Sequence, residues 1–291
     1  MKKILITGAN GLLGRMVCKK LIKLNYNVIG IIKKNIINPL DKVDYIVADL
    51  SKSKFINLLP KNLDYIFHFA QSNKFRDFPE YANDIFSVNV SSTALLLDYA
   101  NRAGVSRFLF ASSGGLYGKG RDPFSENAPI IPPGKLGYYL GSKACGEILS
   151  QSYSNEFFIT VIRPFFIYGK YQNKKMLIPR IMNSILQDIP INLAKKDGIR
   201  INPIHVEDAS IAVIKTLEDK GSAIYNFAGP DILSLREISE KMGIYLGKKP
   251  NFNIIDEPAN DLVGNISLMS QKLHIPKIRL QESFADIENI I

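Results

Sequence analysis

The sequence predicts an α/β fold in which a doubly wound parallel sheet carries a smaller, mostly C-terminal α/β subdomain. Three observations carry that expectation. Short apolar runs alternate with helical patterns through the first half of the chain. A glycine-spaced turn joins the first run to the first helical pattern. Beyond Pro164 the alternation stops, and Pro179, Pro190, Pro203, Pro230, Pro250, Pro258 and Pro276 punctuate shorter elements.

In chain order, the segment Lys3–Thr7 holds Ile4, Leu5 and Ile6 and reads as a buried strand. Residues 12–24 follow with Leu13, Val17, Leu21 and Leu24 at helical spacing. Asn27–Ile32, 45–48 and 65–69 are the next strand candidates, and 85–103 is a long helical pattern. Arg107–Ala111 and 158–163 complete six strands. Strands alternating with helices imply right-handed crossovers and a parallel sheet. Later, 178–186 and Leu235–Leu246 read as helices, and Ala223–Phe227 as a strand expected to rejoin the sheet. The expected units are 1–165 and 166–291, the second supplying most of a substrate subdomain.

A chain of 291 residues, 46% hydrophobic and 22% charged, can bury a sizeable core. The N-terminal apolar run is too short for a signal-peptide core, and no stretch approaches the roughly 20 apolar residues of a membrane span. A cytoplasmic protein with no membrane partner is expected. Cys18 and Cys145 read as buried, reduced thiols. His68, His205 and His274 form no ligand spacing, so no metal is expected. The net charge of +10 is scattered, with nothing denser than pairs such as Lys33-Lys34 and Lys195-Lys196. That argues against nucleic acid and is compatible with an anionic small substrate.

The first strand runs into Thr7-Gly8-Ala9-Asn10-Gly11-Leu12-Leu13-Gly14. Glycines suit a tight turn, a close approach of backbone to pyrophosphate, and helix packing on the sheet. The helix start then aims unpaired N–H groups at phosphate oxygens. Gly8, Asn10, Gly11, Leu12, Leu13 and Gly14 are therefore candidate dinucleotide contacts on a Rossmann-type unit. A tight turn without a ligand is the competing reading. Such sites usually carry an acid after the second strand, for the ribose 2′-hydroxyl. Here Lys33 and Lys34 stand there, with Arg15 nearby, which favours the 2′-phosphate of NADP(H) over NAD(H). Two lysines decorating a solvent-facing strand end fit as well.

Tyr139 and Lys143 lie four apart in a helical pattern, on one helix face. A free tyrosine titrates near 10, and an adjacent ammonium favours its phenolate. Upstream, Ser112-Ser113-Gly114-Gly115-Leu116-Tyr117-Gly118 follows a strand end, where ligands of open α/β sheets bind.

With these pieces the chain resembles the extended short-chain dehydrogenase/reductase family, the NAD-dependent epimerase/dehydratase group. The matching residues are Thr7-Gly8-x-x-Gly11-x-x-Gly14, Asp49-Leu50, His68-Phe69-Ala70, Asn89-Val90, Ser112-Ser113 with Tyr117-Gly118, Tyr139-x-x-x-Lys143, Arg163-Pro164 with Tyr168-Gly169, and His205-Val206-Glu207-Asp208. The resemblance implies that Tyr139 is the acid/base, Lys143 its activator, and Ser113 a hydrogen-bond partner of the reacting oxygen. It implies that Asp49 and Leu50 hold the adenine end. Phe69, Ala70 and Gln71 would line the ribose and diphosphate channel, and Pro164, Phe166 and Ile167 would sit beside the nicotinamide. Gln71, Ser113, Gly114, Phe166, Ile178 and His205 would border the substrate. His68, Asn89 and His205 also fit plain packing or hydrogen-bonding roles.

Three departures refine this. The family's 4,6-dehydratases carry an Asp-Glu pair where this chain has Gly114-Gly115, so dehydration is not expected. Many nucleotide-sugar enzymes of the family carry asparagine at Phe166. Many also carry an Arg-Asp pair where this chain has Ile201-Asn202, with Arg200 as a candidate replacement on a substrate phosphate. The expected function is hydride transfer at a sugar carbon, C4, of a nucleotide sugar, with 4-ketoreductase favoured over 4-epimerase. A reductase of a non-sugar carbonyl and a non-catalytic cofactor-binding sensor are the other readings. The resemblance also implies a homodimer, paired through 85–103 and the helix carrying Tyr139.

Overall fold

A computed structural model describes residues 1–289. The chain runs through β1 (Lys3–Thr7), α1 (Leu12–Lys23), β2 (Asn27–Ile32), β3 (Val43–Val47) and β4 (Tyr65–His68). Then follow α2 (Ala82–Phe86), α3 (Ser92–Arg102), β5 (Arg107–Ala111), α4 (Gly137–Gln151) and β6 (Phe158–Pro164). The remainder comprises α5 (Leu177–Leu186), β7 (Ile191–Ala194), β8 (Arg200–Ile201), α6 (Val206–Lys215), β9 (Ala223–Phe227) and β10 (Leu233–Ser234). It ends in α7 (Leu235–Leu246), β11 (Phe252–Ile255), α8 (Ser267–Lys272) and α9 (Phe284–Glu288).

Two compact units emerge, one of 1–116, 130–163 and 210–225, the other of 117–129, 164–209 and 226–291. The main sheet has seven strands in the order β3-β2-β1-β4-β5-β6-β9, so the strand at 223–227 joins its edge. The pairs from β3 through β6 are parallel. The chain winds outward from β1 to β3, then restarts at β4 on the opposite side of β1. Right-handed crossovers wound in opposite directions leave helices on opposite faces. The C-terminal ends of β1 and β4 are thus the topological switch point, where open α/β sheets bind ligands.

Complete burial of Ile4, Leu5, Ile6, Ile66, Phe67, Phe108 and Leu109 explains why these strands read as unbroken apolar runs rather than alternating ones. The second unit has its own core of Ile178, Ile181, Met182, Ile185, Leu193, Ile201 and Ile238. Its small strands pair as β7 with β11, parallel, and β8 with β10, antiparallel.

Several elements differ from expectation. The pattern at 85–103 is a helix interrupted by a π turn over Ser87–Ser91, between α2 and α3. Helix α6 escaped detection because nearly every residue from 206 to 213 is buried, which leaves no polar stripe. Cys18 is buried, but Cys145 is exposed on α4. Among the described residues no group of His, Cys, Asp or Glu is arranged to hold a metal ion, and no helix is long and apolar enough to cross a membrane.

Candidate functional site

The turn after β1 owes its shape to two glycines. Gly8 has φ of +69°, and a Cβ on Gly14 would lie 2.2 Å from the Gly8 carbonyl oxygen. No other residue fits there without moving backbone. The Gly11 N–H donates to the Gly8 oxygen at 2.8 Å, and Gly11 then caps α1. Leu13 packs beneath the turn, while Asn10 and Leu12 stay more open. The first-turn N–H groups of α1 have no intrahelical partners and point out of the switch point.

Beyond β2, Lys33 and Lys34 are exposed. Lys33 Nζ lies 3.3 Å from Asp49 Oδ2. Burial pushes the Asp49 carboxyl up, but bonds from Ser51 and Lys33 outweigh it and leave the group below its ordinary range. Leu50 is buried beside it. Arg15 reaches the same rim, donating to Asn38 O at 3.0 Å.

At the end of β4, a hydrogen-bond chain fixes the backbone. Thr7 Oγ1 is 2.6 Å from His68 Nδ1, and His68 Nε2 is 2.9 Å from Thr93 Oγ1. Thr93 donates to Asn89 O and Thr7 accepts from Ala70 N, so His68 carries its proton on Nε2. Burial drives its pKa down to about 3. His68 is therefore a neutral strut rather than a proton carrier. Asn89, in the π turn, accepts from Ser72 N and donates to Ser142 Oγ, tying the segment after Phe69 to α4. An extra backbone residue in a helix re-aims the side chain it carries.

Helix α4 presents Tyr139, Lys143 and Glu147 along one face. The Tyr139 ring is half-buried but its hydroxyl is enclosed, donating to Gln71 Oε1 at 3.1 Å. Ser113 lies close enough to pull the phenol's pKa down, and its Oγ accepts from Gly115 N at 3.1 Å. Lys143 is 2% exposed and donates to Ala111 O at 2.8 Å. One turn on, Glu147 pairs with Arg163 through two contacts, 2.9 and 2.7 Å, both side chains buried. Burial lowers Lys143 to about 8, with Glu147 opposing. Burial raises Tyr139 to about 12, against the pull of Ser113 and Arg76. This reverses the expected direction for the phenol, because desolvation of its anion outweighs the pull of Ser113 and Arg76.

In the second unit, Pro164 ends β6 and Phe166 adopts φ of +52°, a left-handed backbone in which Asn or Gly is at ease and Phe is strained. Ile167 follows, with its carbonyl accepting from Gln172 Nε2. Ile178 is buried in α5. Arg200 is held by Asp261, at 2.7 and 2.8 Å, and by Arg121 O. His205 is buried against Tyr168, with Nε2 3.7 Å from Asp286.

The structure thus brings Gln71 and Tyr139 into hydrogen-bond contact, with Ser113 beside the phenol and Lys143 one turn along the helix. It commits the Arg200 guanidinium to Asp261. Two residues near the phenol were not singled out from sequence. The Phe75 ring centroid is 4.8 Å from that of Tyr139, and the Arg76 guanidinium is 5.0 Å from the Phe75 centroid. Both lie in irregular chain between β4 and α2, where periodicity carries no information. Their one signal is proximity in sequence to Gln71.

Comparison with known proteins bears on these groups. A curated protein of Bacillus subtilis (strain 168), described as an uncharacterized UDP-glucose epimerase, is 28% identical over 94% of this chain and 92% of its own length. A dTDP-D-glucose 4,6-dehydratase of Mus musculus is 27% identical over 76% of this chain and 66% of its own. The crystal structure of a UDP-glucuronic acid 4-epimerase from Bacillus cereus, complexed with UDP-glucuronic acid and NAD, superposes with a TM-score of 0.86 at 23% identity, covering 99% of this chain and all of that one. At that identity the likeness speaks for the fold. Residues 4–228 match the NAD dependent epimerase/dehydratase family, a span that contains the glycine turn, Ser113, Tyr139 and Lys143. The chain belongs to the NAD dependent epimerase/dehydratase family.

Proposed function

We propose that this protein transfers a hydride between C4 of a nucleotide sugar and a nicotinamide dinucleotide, acting as a 4-epimerase. One observation carries the reading: the enclosed Tyr139 hydroxyl donates to Gln71 beside Ser113, with buried Lys143 one helical turn away. The names of the relatives supply the nucleotide-sugar class. The glycine turn and the start of α1 suit a pyrophosphate, with Asp49 and Leu50 at the adenosine end.

When bound, the dinucleotide supplies the hydride acceptor and donor. The protein's share is proton movement and orientation. Tyr139 exchanges the proton of the C4 oxygen, and Ser113 orients that oxygen. A phenol raised to about 12 is protonated at neutral pH and suits the donating step. In the accepting step Lys143 and Arg76 are the cations available to favour the phenolate. Pro164, Phe166 and Ile167 would face the nicotinamide, and Ile178 and His205 the sugar. Gly114 and Gly115 have no proton to move, which speaks against water elimination. The working unit is a homodimer paired through the α2–α3 helix and α4, which expose Phe86 and Ile148.

A second reading, 4-ketoreductase, is favoured by the cations at the end of β2. Lys34 and Arg15 fit an NADPH 2′-phosphate, although Asp49 takes up Lys33. Denaturing extraction of the purified protein, with chromatography of the released dinucleotide, separates the two. An epimerase carries near-stoichiometric NAD. A protein without bound NAD that binds NADPH at least about tenfold tighter than NADH is the reductase.

A further inference from the structure

Gln71 is fixed on both sides before its side chain reaches Tyr139. Ala70 N donates to Thr7 Oγ1 at 3.1 Å, and Ser72 N donates to Asn89 Oδ1 at 2.8 Å. Asn89 in turn donates to Ser142 Oγ at 2.9 Å, and Ser142 Oγ donates to the Tyr139 carbonyl at 2.6 Å. The backbone around Gln71 is thus registered on the turn of α4 that carries Tyr139. The half-buried Gln71 side chain closes the circuit, accepting from the Tyr139 hydroxyl on Oε1 at 3.1 Å. Phe75 packs against the Tyr139 ring, with centroids 4.8 Å apart.

That hydrogen bond suits only one of the two states an acid/base must visit. A phenol has one proton, and while it points at Gln71 it does not point at a substrate oxygen. A phenolate only accepts, so Oε1 in the same place would set a second acceptor against an anion. Burial already disfavours that anion, and the Lys143 ammonium donates to Ala111 O one turn away. Gln71 itself carries the missing donor. Its Nε2 makes no hydrogen bond among the described residues. The last torsion of a glutamine is broad and roughly two-fold, so the carboxamide can turn over without leaving its rotamer. Half a turn brings an N–H to the phenolate where the oxygen had been.

We propose that Gln71 is a positioning residue for Tyr139, its carboxamide accepting from the phenol and turning to donate to the phenolate as the proton passes to and from the substrate oxygen. The inference rests on the acid/base reading of Tyr139 above.

The test is the pH dependence of kcat and KM for 4-epimerisation of UDP-glucose and UDP-glucuronate. The proteins compared are NAD-loaded wild type, Gln71→Met, Gln71→Glu and Tyr139→Phe. Taking the C4 proton needs the phenolate, so the rate falls as pH drops through the apparent pKa of the phenol. A variant that disfavours the anion moves this acid limb to higher pH. Gln71→Met loses a charge-assisted bond to the phenolate and a neutral bond of roughly half that strength to the phenol. Its limb should rise by roughly half a pH unit, with kcat about threefold lower on the limb and KM within about twofold. An ionised Gln71→Glu accepts but does not donate, and its limb should rise by about one unit, a tenfold loss. A merely structural Gln71 would leave the limb in place. An acid limb that stays or falls in Gln71→Met, or a loss confined to KM, overturns the role of Gln71 and leaves Tyr139 standing. Full turnover by Tyr139→Phe, or no turnover of either sugar by folded wild type, overturns both.

Discussion

Lys143 sits where a charge is expensive, and that makes its removal informative. Burial brings its pKa from 10.5 to about 8. Below pH 8 the ammonium is charged in both folded and unfolded chains, and the fold bears the whole cost, about 3 kcal/mol. Between pH 8 and 10.5 the native state sheds its proton first while the unfolded chain still holds one. Stability therefore climbs across that window, because the unfolded state binds more protons. Lys143→Met keeps most of the side-chain volume and removes the charge. It also strips Ala111 O of its donor, at a cost of about 1 kcal/mol. The variant should be about 2 kcal/mol more stable than the wild type at pH 7, and inactive. The advantage should shrink by about 2 kcal/mol at pH 9.5, as the wild type recovers. Urea titrations of ligand-free protein at both pH values measure this. A variant less stable than the wild type at pH 7, or a difference independent of pH, would refute the claim that Lys143 is held at a stability cost.

Tyr139→Phe removes one hydroxyl from a half-buried ring, so folding should survive while turnover falls at least about 100-fold; turnover near the wild-type rate would take Tyr139 out of the chemistry. Gly14→Ala should abolish dinucleotide binding, measured by fluorescence titration, because its Cβ would lie 2.2 Å from the Gly8 oxygen and must displace the turn. Unchanged affinity in that variant would show that the turn does not hold the cofactor.

Much of the nucleotide-binding half was legible because its constraints are local. A turn that excludes side chains at position 14 forces glycine, and a strand covered on both faces, such as β5, becomes an unbroken apolar run. Tyr139 and Lys143 share a helix face by spacing alone. What depends on distant partners was not legible. The pairing of β7 with β11 joins segments whose partner is fixed by the fold. Helix α6 is buried too evenly to show a period. The commitments of Arg200 to Asp261 and of Lys33 to Asp49 are tertiary facts, and both alter what those cations are free to bind. The rise of Tyr139 to about 12 depends on how deeply its hydroxyl is enclosed, which residue spacing does not encode.

The account stands most directly on hydride transfer at C4 with Tyr139 moving the proton. A nucleotide sugar carrying deuterium at C4 tests it. The mixture is quenched during turnover in cold solvent, and the reduced dinucleotide is weighed by mass spectrometry. The account predicts a reduced nicotinamide one mass unit heavier in the wild type and at least about 100-fold less of it in Tyr139→Phe. Turnover in which the reduced cofactor never carries the label would contradict it.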